Sequence, residues 1–134
     1  MKNYKLLVDT AALAGEIMLS SGAETYRVED TMYHILKTSD IGTIEALALL
    51  TGIVVTVNDE SMAQPLTVMK TVNDRVTNMS TIIKVNDISR KYCAGKIALE
   101  QAYEQLNHVR GKEYNRVLLR LVQYCDGSYP ISRN

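Results

Sequence analysis

The sequence predicts one α+β domain: two N-terminal helices, a small antiparallel sheet of about three strands, then C-terminal helices. Apolar residues recur at helical spacing up to Thr38, alternate with a period of two from Ile44, and return to helical spacing at Met79. A length of 134 residues, without an internal repeat or a linker-like stretch, suits one domain with one core.

The first helix is predicted over Asn3–Ser20, with Leu7, Ala11, Ala14, Ile17 and Met18 on one stripe and Asp9 and Glu16 on a more polar side. Gly15 costs helix propensity there and permits a close approach by a neighbouring element. Gly22 suits the end of this helix, because glycine takes positive φ without a Cβ penalty. Ser21 with Glu24 three residues on reads as a capping box that opens a second helix over Ala23–Thr38. Val28, Met32, Ile35 and Leu36 form its buried stripe. On this reading Glu24, Thr25, Tyr26 and Arg27 occupy its first turn.

Two antiparallel strands follow, Ile44–Leu50 and Gly52–Asn58, joined by a tight turn at Thr51–Gly52. Asn58–Gln64 is a polar turn, and Pro65 rules out a central-strand start at that point. A third strand covers Leu66–Val72, with Leu66, Val68 and Lys70 on one side and Thr67, Met69 and Thr71 on the other. Asn78 caps a third helix over Met79–Ala94, and Gly95 ends it. A fourth helix spans Ile97–Arg110 without a good side-chain N-cap, and Glu113–Tyr124 is a fifth helical stretch. Residues 1–125 are thus expected to form the domain, and the polar tail Asp126–Asn134, with Gly127 and Pro130, to be disordered.

Net charge is zero, yet residues 1–60 carry nine acids and four bases while residues 61–134 carry six and eleven. A uniformly basic nucleic-acid binder would not show this polarity, so no nucleic-acid partner is expected. Trp and Phe are absent, and eight Tyr supply all the aromatic surface. Cys93 and Cys125 stand alone and read as reduced thiols in a cytoplasmic setting. His34 and His108 lack neighbours at metal-ligand spacing, so neither a metal nor a cofactor is implied. The longest apolar run, Ala46–Val57, is twelve residues and is interrupted by Thr51, Gly52 and Thr56. A spanning helix needs roughly 20, so the chain by itself is expected to be soluble.

The densest chemistry lies in Ser20–Asp30, Ser-Ser-Gly-Ala-Glu-Thr-Tyr-Arg-Val-Glu-Asp. A first helical turn offers spare backbone N–H groups and a positive dipole end, and Arg27 there can take a planar carboxylate in a bidentate fork. Alternatively, Glu24 and Arg27 pair at i,i+3 and the stretch is a structural corner. No Ser–His–Asp arrangement and no Gly-x-Ser-x-Gly elbow is present. Glu29 and Asp30 are adjacent on a helix and point about 100° apart, which suits shared acid–base work poorly. The chain is therefore not expected to be an enzyme.

These residues resemble the N-terminal soluble domain of the threonine/serine exporter (ThrE-like) family. The resemblance is carried by Ala14-Gly15-Glu16 and by Ser21-Gly22-Ala23-Glu24-Thr25-Tyr26-Arg27-Val28-Glu29. It continues through Thr51-Gly52-Ile53, Thr67-Val68, Val85-Asn86, Ser89-Arg90 and the Leu99–Leu106 segment before Tyr114. It implies a part in export of threonine, serine or dicarboxylates such as succinate, at the cytoplasmic face of the plasma membrane. The implied partner is a membrane part, in the same transporter or as a separate small subunit, and self-association is a further expectation. Glu24, Thr25, Arg27, Glu29 and Thr67 are the candidate substrate-binding residues.

Family members continue into transmembrane helices, whereas here Asp126-Gly127-Ser128-Tyr129-Pro130 follows, which reads as a truncation or an altered reading frame. A stand-alone small-molecule-binding regulatory module is the alternative reading, and a hydrolase-like domain a third. Arg110, Lys112, Arg116 and Arg120 form a basic cluster of the kind that marks the cytoplasmic side of a membrane span, or else a solvated helix face.

Overall fold

Helix α1 (Tyr4–Ser20) runs through the middle of the molecule. The structure is a computed structural model that describes residues 3–125, with side chains described through Lys112. Asn3 caps α1 by accepting the Leu6 N–H at 3.1 Å. Eleven of the 17 residues of α1 are buried, too many for one stripe. The helix touches α2, α3, α4, β2 and β3, so it is central where the sequence suggested one apolar stripe and a more polar side. Its small residues, Ala11, Ala12, Ala14 and Gly15, are what let elements close in on several sides.

The tightest approach is to α2 (Thr25–Leu36). A Cβ added to Gly15 would lie 2.9 Å from Met32 Cγ and 3.4 Å from Val28 Cγ1. Gly15 is thus the close-packing glycine the sequence suggested. The corner between the helices also follows expectation. Gly22 has φ +87°, its N–H bonds Leu19 O at 3.1 Å, and the Ala23 N–H bonds Met18 O at 3.0 Å. This pair of bonds is the Schellman arrangement that satisfies the last carbonyls of α1.

Strands β1 (Thr43–Leu49), β2 (Gly52–Asn58) and β3 (Leu66–Thr71) form an antiparallel sheet in the order β1-β2-β3. Leu49 pairs with Gly52, so the turn is Leu50–Thr51, one residue earlier than the sequence suggested. Ile53, Val55 and Val57 are fully buried against the helices, with Ala48, Val68 and Leu66 around them. The other sheet face is open among the described residues. Across it runs the row Leu47, Val54, Met69, beside the row Glu45, Thr56, Thr67.

Helix α3 (Met79–Cys93) begins where Asn78 accepts the Thr81 N–H at 3.2 Å and ends at Gly95, φ +78°, with a second Schellman pair. Helix α4 (Leu99–Cys125) is one continuous helix, where two were expected. Its start is capped from behind: Gln101 Oε1 accepts the Ala98 N–H at 2.9 Å. Gly111, in the gap between the two expected helices, keeps helical backbone and costs only propensity. The fold is thus α+β, with helices on one face of a small sheet. The tail 126–134, expected to be disordered, lies outside the described residues.

Candidate functional site

The predicted site residues start at the α1–α2 corner. Glu24 has extended backbone (φ −69°, ψ 143°) and is the N-cap of α2 rather than part of its first turn. Its carbonyl accepts the first helical bonds, from the Arg27 N–H at 3.0 Å and the Val28 N–H at 3.1 Å. No side chain caps this end. The capping box does not form because Ser21 is already committed as the buried C-cap of α1, within the Schellman turn. Thr25, Tyr26 and Arg27 make up the first turn, and the N–H groups of Thr25 and Tyr26 precede any intrahelical bond.

Arg27 and Glu24 are both exposed, and their side chains have neither a hydrogen bond nor an ion pair among the described residues. The i,i+3 pair that would have made this a charge-neutral corner is therefore not formed. A guanidinium without a protein partner, at a positively polarised helix end, has its full donor set available to a carboxylate.

The corner is braced instead by Arg75, which the sequence reading did not single out. Its Nε donates to Leu19 O at 3.2 Å and its Nη2 to Ala23 O at 3.3 Å. Backbone bonds from Val76 N–H to Ser20 O and from Asn78 N–H to Ser21 O, both 2.9 Å, lay the same segment along the corner. The only sequence signal was a cation in the polar connection after β3, in reach of the open carbonyls at a helix C-terminus.

The other two candidates lie elsewhere. Glu29 is half-buried one turn further along α2, where its Oε2 accepts the Ala48 N–H of β1 at 2.8 Å. Thr67 is exposed on the open sheet face, its hydroxyl 2.9 Å from that of Thr56. It is two strands from β1 and on the side away from the helices. The structure thus brings Glu24, Thr25 and Arg27 together, places Glu29 behind them on the sheet edge, and separates Thr67. Among the described residues no cluster of His, Cys, Asp or Glu has metal-binding geometry. Also among them, no helix is long and apolar enough to cross a membrane.

Comparison with known proteins points one way. The family model described as "Putative threonine/serine exporter" (ThrE) matches residues 9–125. The chain is also similar to the "Probable threonine/serine exporter" of Mycobacterium tuberculosis (strain ATCC 25618 / H37Rv). The two are 24% identical over 103 residues, which are 77% of this chain and 20% of that protein. The chain thus spans about a fifth of the length of that relative. No solved structure matches it. With the family match covering almost all of the described fold, from the second turn of α1 to the end of α4, the chain belongs to the threonine/serine exporter family.

Proposed function

We propose that this chain is the cytosolic domain of a small-solute exporter, lying at the cytoplasmic face of the plasma membrane. It receives threonine, serine or a related amino acid or dicarboxylate, such as succinate, and delivers it to membrane-spanning sequence in the same transporter or in a separate subunit. The observation that carries this reading is the family match across residues 9–125. The basic residues Arg110, Lys112, Arg116 and Arg120 support the cytoplasmic placement, since such residues accumulate on that side of membrane spans.

In this reading the first turn of α2 meets the solute. Arg27 takes a carboxylate, with the N–H groups of Thr25 and Tyr26 and the helix dipole in support, and Glu24 faces an amino group. Glu29 acts at one remove, by holding α2 against the sheet through Ala48. Thr67 would need a solute reaching the open sheet face.

The test is efflux. Deleting the gene in its own host should slow the release of threonine and serine from preloaded cells, and returning the intact gene should restore it. An unchanged release rate for every small amino acid and dicarboxylate tried would remove this reading.

A further inference from the structure

Exposed apolar side chains are gathered at one end of this fold. Among the described residues nine large hydrophobic side chains are exposed. Leu49 and Leu50, at the β1–β2 hairpin tip, are 52% and 66% exposed, and Met79 and Ile83, in the first two turns of α3, are 60% and 62% exposed. Tyr26 stands in the first turn of α2, and Val76 in the segment that leads into α3. Backbone bonds bring these places together. The Val72 N–H bonds Thr51 O at 2.8 Å, so the hairpin tip lies where β3 ends. The segment after β3 is the one bonded along the α1–α2 corner, and α3 starts from it. Glu29, in the second turn of α2, meets Ala48, one residue before the end of β1. The hairpin tip and the starts of α2 and α3 therefore share one end of the molecule.

The open sheet face is graded in the same direction. Its rows, counted from the tip, are Leu49–Gly52–Thr71, Leu47–Val54–Met69, Glu45–Thr56–Thr67 and Thr43–Asn58. The two rows near the tip are apolar apart from Thr71, and the two far rows are polar. A sheet face left to water would be polar along its whole length. Eight of the nine exposed hydrophobic side chains thus lie at or beside this end, with Tyr33 the exception. Single exposed hydrophobic residues are ordinary, but a gathering of them marks an interaction surface. Helix α4 runs to the same end. Arg110 Nη1 is 3.7 Å from Glu16 Oε1, one turn before the end of α1. From Arg110 the helix continues for fifteen residues, about 22 Å at 1.5 Å per residue. Its sequence there includes Val117-Leu118-Leu119-Arg120-Leu121-Val122.

We propose that this end of the domain docks on an anionic lipid bilayer. Leu49, Leu50, Met79 and Ile83 enter the interfacial layer, and Tyr26 sits at headgroup level. Charge favours such a surface. Arg27 and Glu24 are set aside, since the reading above gives them to the solute. The other exposed cations here are Arg75, Lys84, Arg110 and Lys112, against the exposed acids Asp30 and Asp74. Arg116 and Arg120 follow in the sequence of α4, against Glu113. Helices α2 and α3 also turn their positive ends this way. The apolar groups stand on a hairpin tip and two helix starts, separate points that a fluid layer can surround, whereas a protein partner needs a continuous matching area. The choice of a membrane rests on the exporter reading above, which puts the domain at a membrane face without saying which side of it meets lipid. Docked in this way, the first turn of α2 stands on the bilayer side of the domain, and α4 leads from the domain toward the bilayer.

The test is sedimentation of the purified 134-residue chain with vesicles of phosphatidylcholine alone and of equal parts phosphatidylcholine and phosphatidylglycerol. The mixed vesicles are expected to carry the chain down, the neutral ones to carry less of it, and added salt to release part of it. Leu50→Glu combined with Met79→Glu should lower partition into mixed vesicles by about tenfold or more, because two apolar groups leave the interface and two negative charges meet it. Both side chains are exposed, so the melting temperature should hold. Tyr33→Glu, away from this end, should leave partition unchanged. Depth is read separately in a Cys93→Ser, Cys125→Ser background. A polarity-sensitive fluorophore carried by Leu50→Cys should shift to shorter wavelength on mixed vesicles, and one carried by Tyr33→Cys should not. Failure of the wild type to sediment with mixed vesicles, undiminished partition of the double variant, or a Leu50→Cys fluorophore that stays in water would each overturn the proposal. A wild type that ignores vesicles while the double variant abolishes efflux would give this end to a protein subunit instead. Failure here is distinct from failure of the transport reading, because lipid binding by the purified chain and efflux from cells are measured apart.

Discussion

Glu29 Oε2 accepts the backbone N–H of Ala48 at 2.8 Å, joining the middle of α2 to the edge strand of the sheet. An edge strand presents N–H groups without a strand partner, and a carboxylate on a packed helix closes one of them. The bond also fixes the rotation of α2, and so the direction in which Arg27 and Asp30 face. Glu29→Ala should lower stability by about 1–2 kcal/mol, toward the lower end for a hydrogen bond to a charged group because the site is only half-buried. Glu29→Gln, which keeps an acceptor, should lose less. Urea melts of both variants check the order, and amide exchange should show faster opening at Ala48 in the alanine variant. Equal stability of wild type and Glu29→Ala would show that the bond is dispensable.

Gly15→Ala inserts a methyl group into the α1–α2 crossing, against the fully buried Met32 side chain. Overpacking of this kind costs about 1–3 kcal/mol, against a gain of about 1 kcal/mol in helix propensity. The net expectation is a loss of stability, read as a lower melting temperature. A rise would mean that the crossing relaxes freely.

Gly111→Ala should do the reverse. A Cβ there meets nothing within 4 Å and the residue lies inside α4 with helical backbone. The variant should gain up to about 1 kcal/mol from propensity alone. Differential scanning calorimetry of the two glycine variants side by side checks both signs, and a destabilised Gly111→Ala would indicate a packing role for this position.

These glycines show how far the sequence could be read. Gly22 and Gly95 announced the ends of α1 and α3, and Asn78 the start of α3, because local backbone geometry dictates those residue types. The alternation from Leu66 to Thr71 likewise placed each residue of β3 on its face. The division expected between Arg110 and Glu113 does not occur, because Gly111 keeps helical backbone inside α4, and a glycine in a helix and a glycine after one look alike until neighbours are known. Ser21 misled for a similar reason: one residue cannot both close α1 and cap α2, and the Schellman turn at Gly22 took precedence. The centrality of α1 was hidden, since Val8, Ala12 and Leu13 are consistent with either a wide stripe or full burial. The brace by Arg75 and the gathering of exposed apolar side chains at one end depend on contacts between residues far apart in sequence, which no local pattern reports.

Partial burial raises the Cys93 thiol above its ordinary value of 9.0, with the Ser89 hydrogen bond acting in the opposite direction. The folded chain therefore holds this proton to higher pH than the unfolded chain does. The corresponding stability is complete below about pH 9 and is lost as pH rises through the folded value. The rate of Cys93 modification against pH, in a Cys125→Ser background, should show a midpoint above 9.0 in the native protein and near it in urea. A native midpoint at or below the denatured one contradicts this.

The central claim is that α2 carries the solute contacts of an exporter domain, and Arg27 is where it is most exposed to test. Arg27→Lys keeps the charge and loses the bidentate fork. Nothing in the fold depends on the Arg27 side chain, which has no protein partner among the described residues, so the melting temperature should not move. Threonine efflux from cells carrying the variant in place of the wild-type gene is the decisive measurement. The account predicts a marked drop, in the direction of the deletion, with the protein present at normal levels. Wild-type efflux from Arg27→Lys cells, in a host where deletion abolishes it, would contradict the claim.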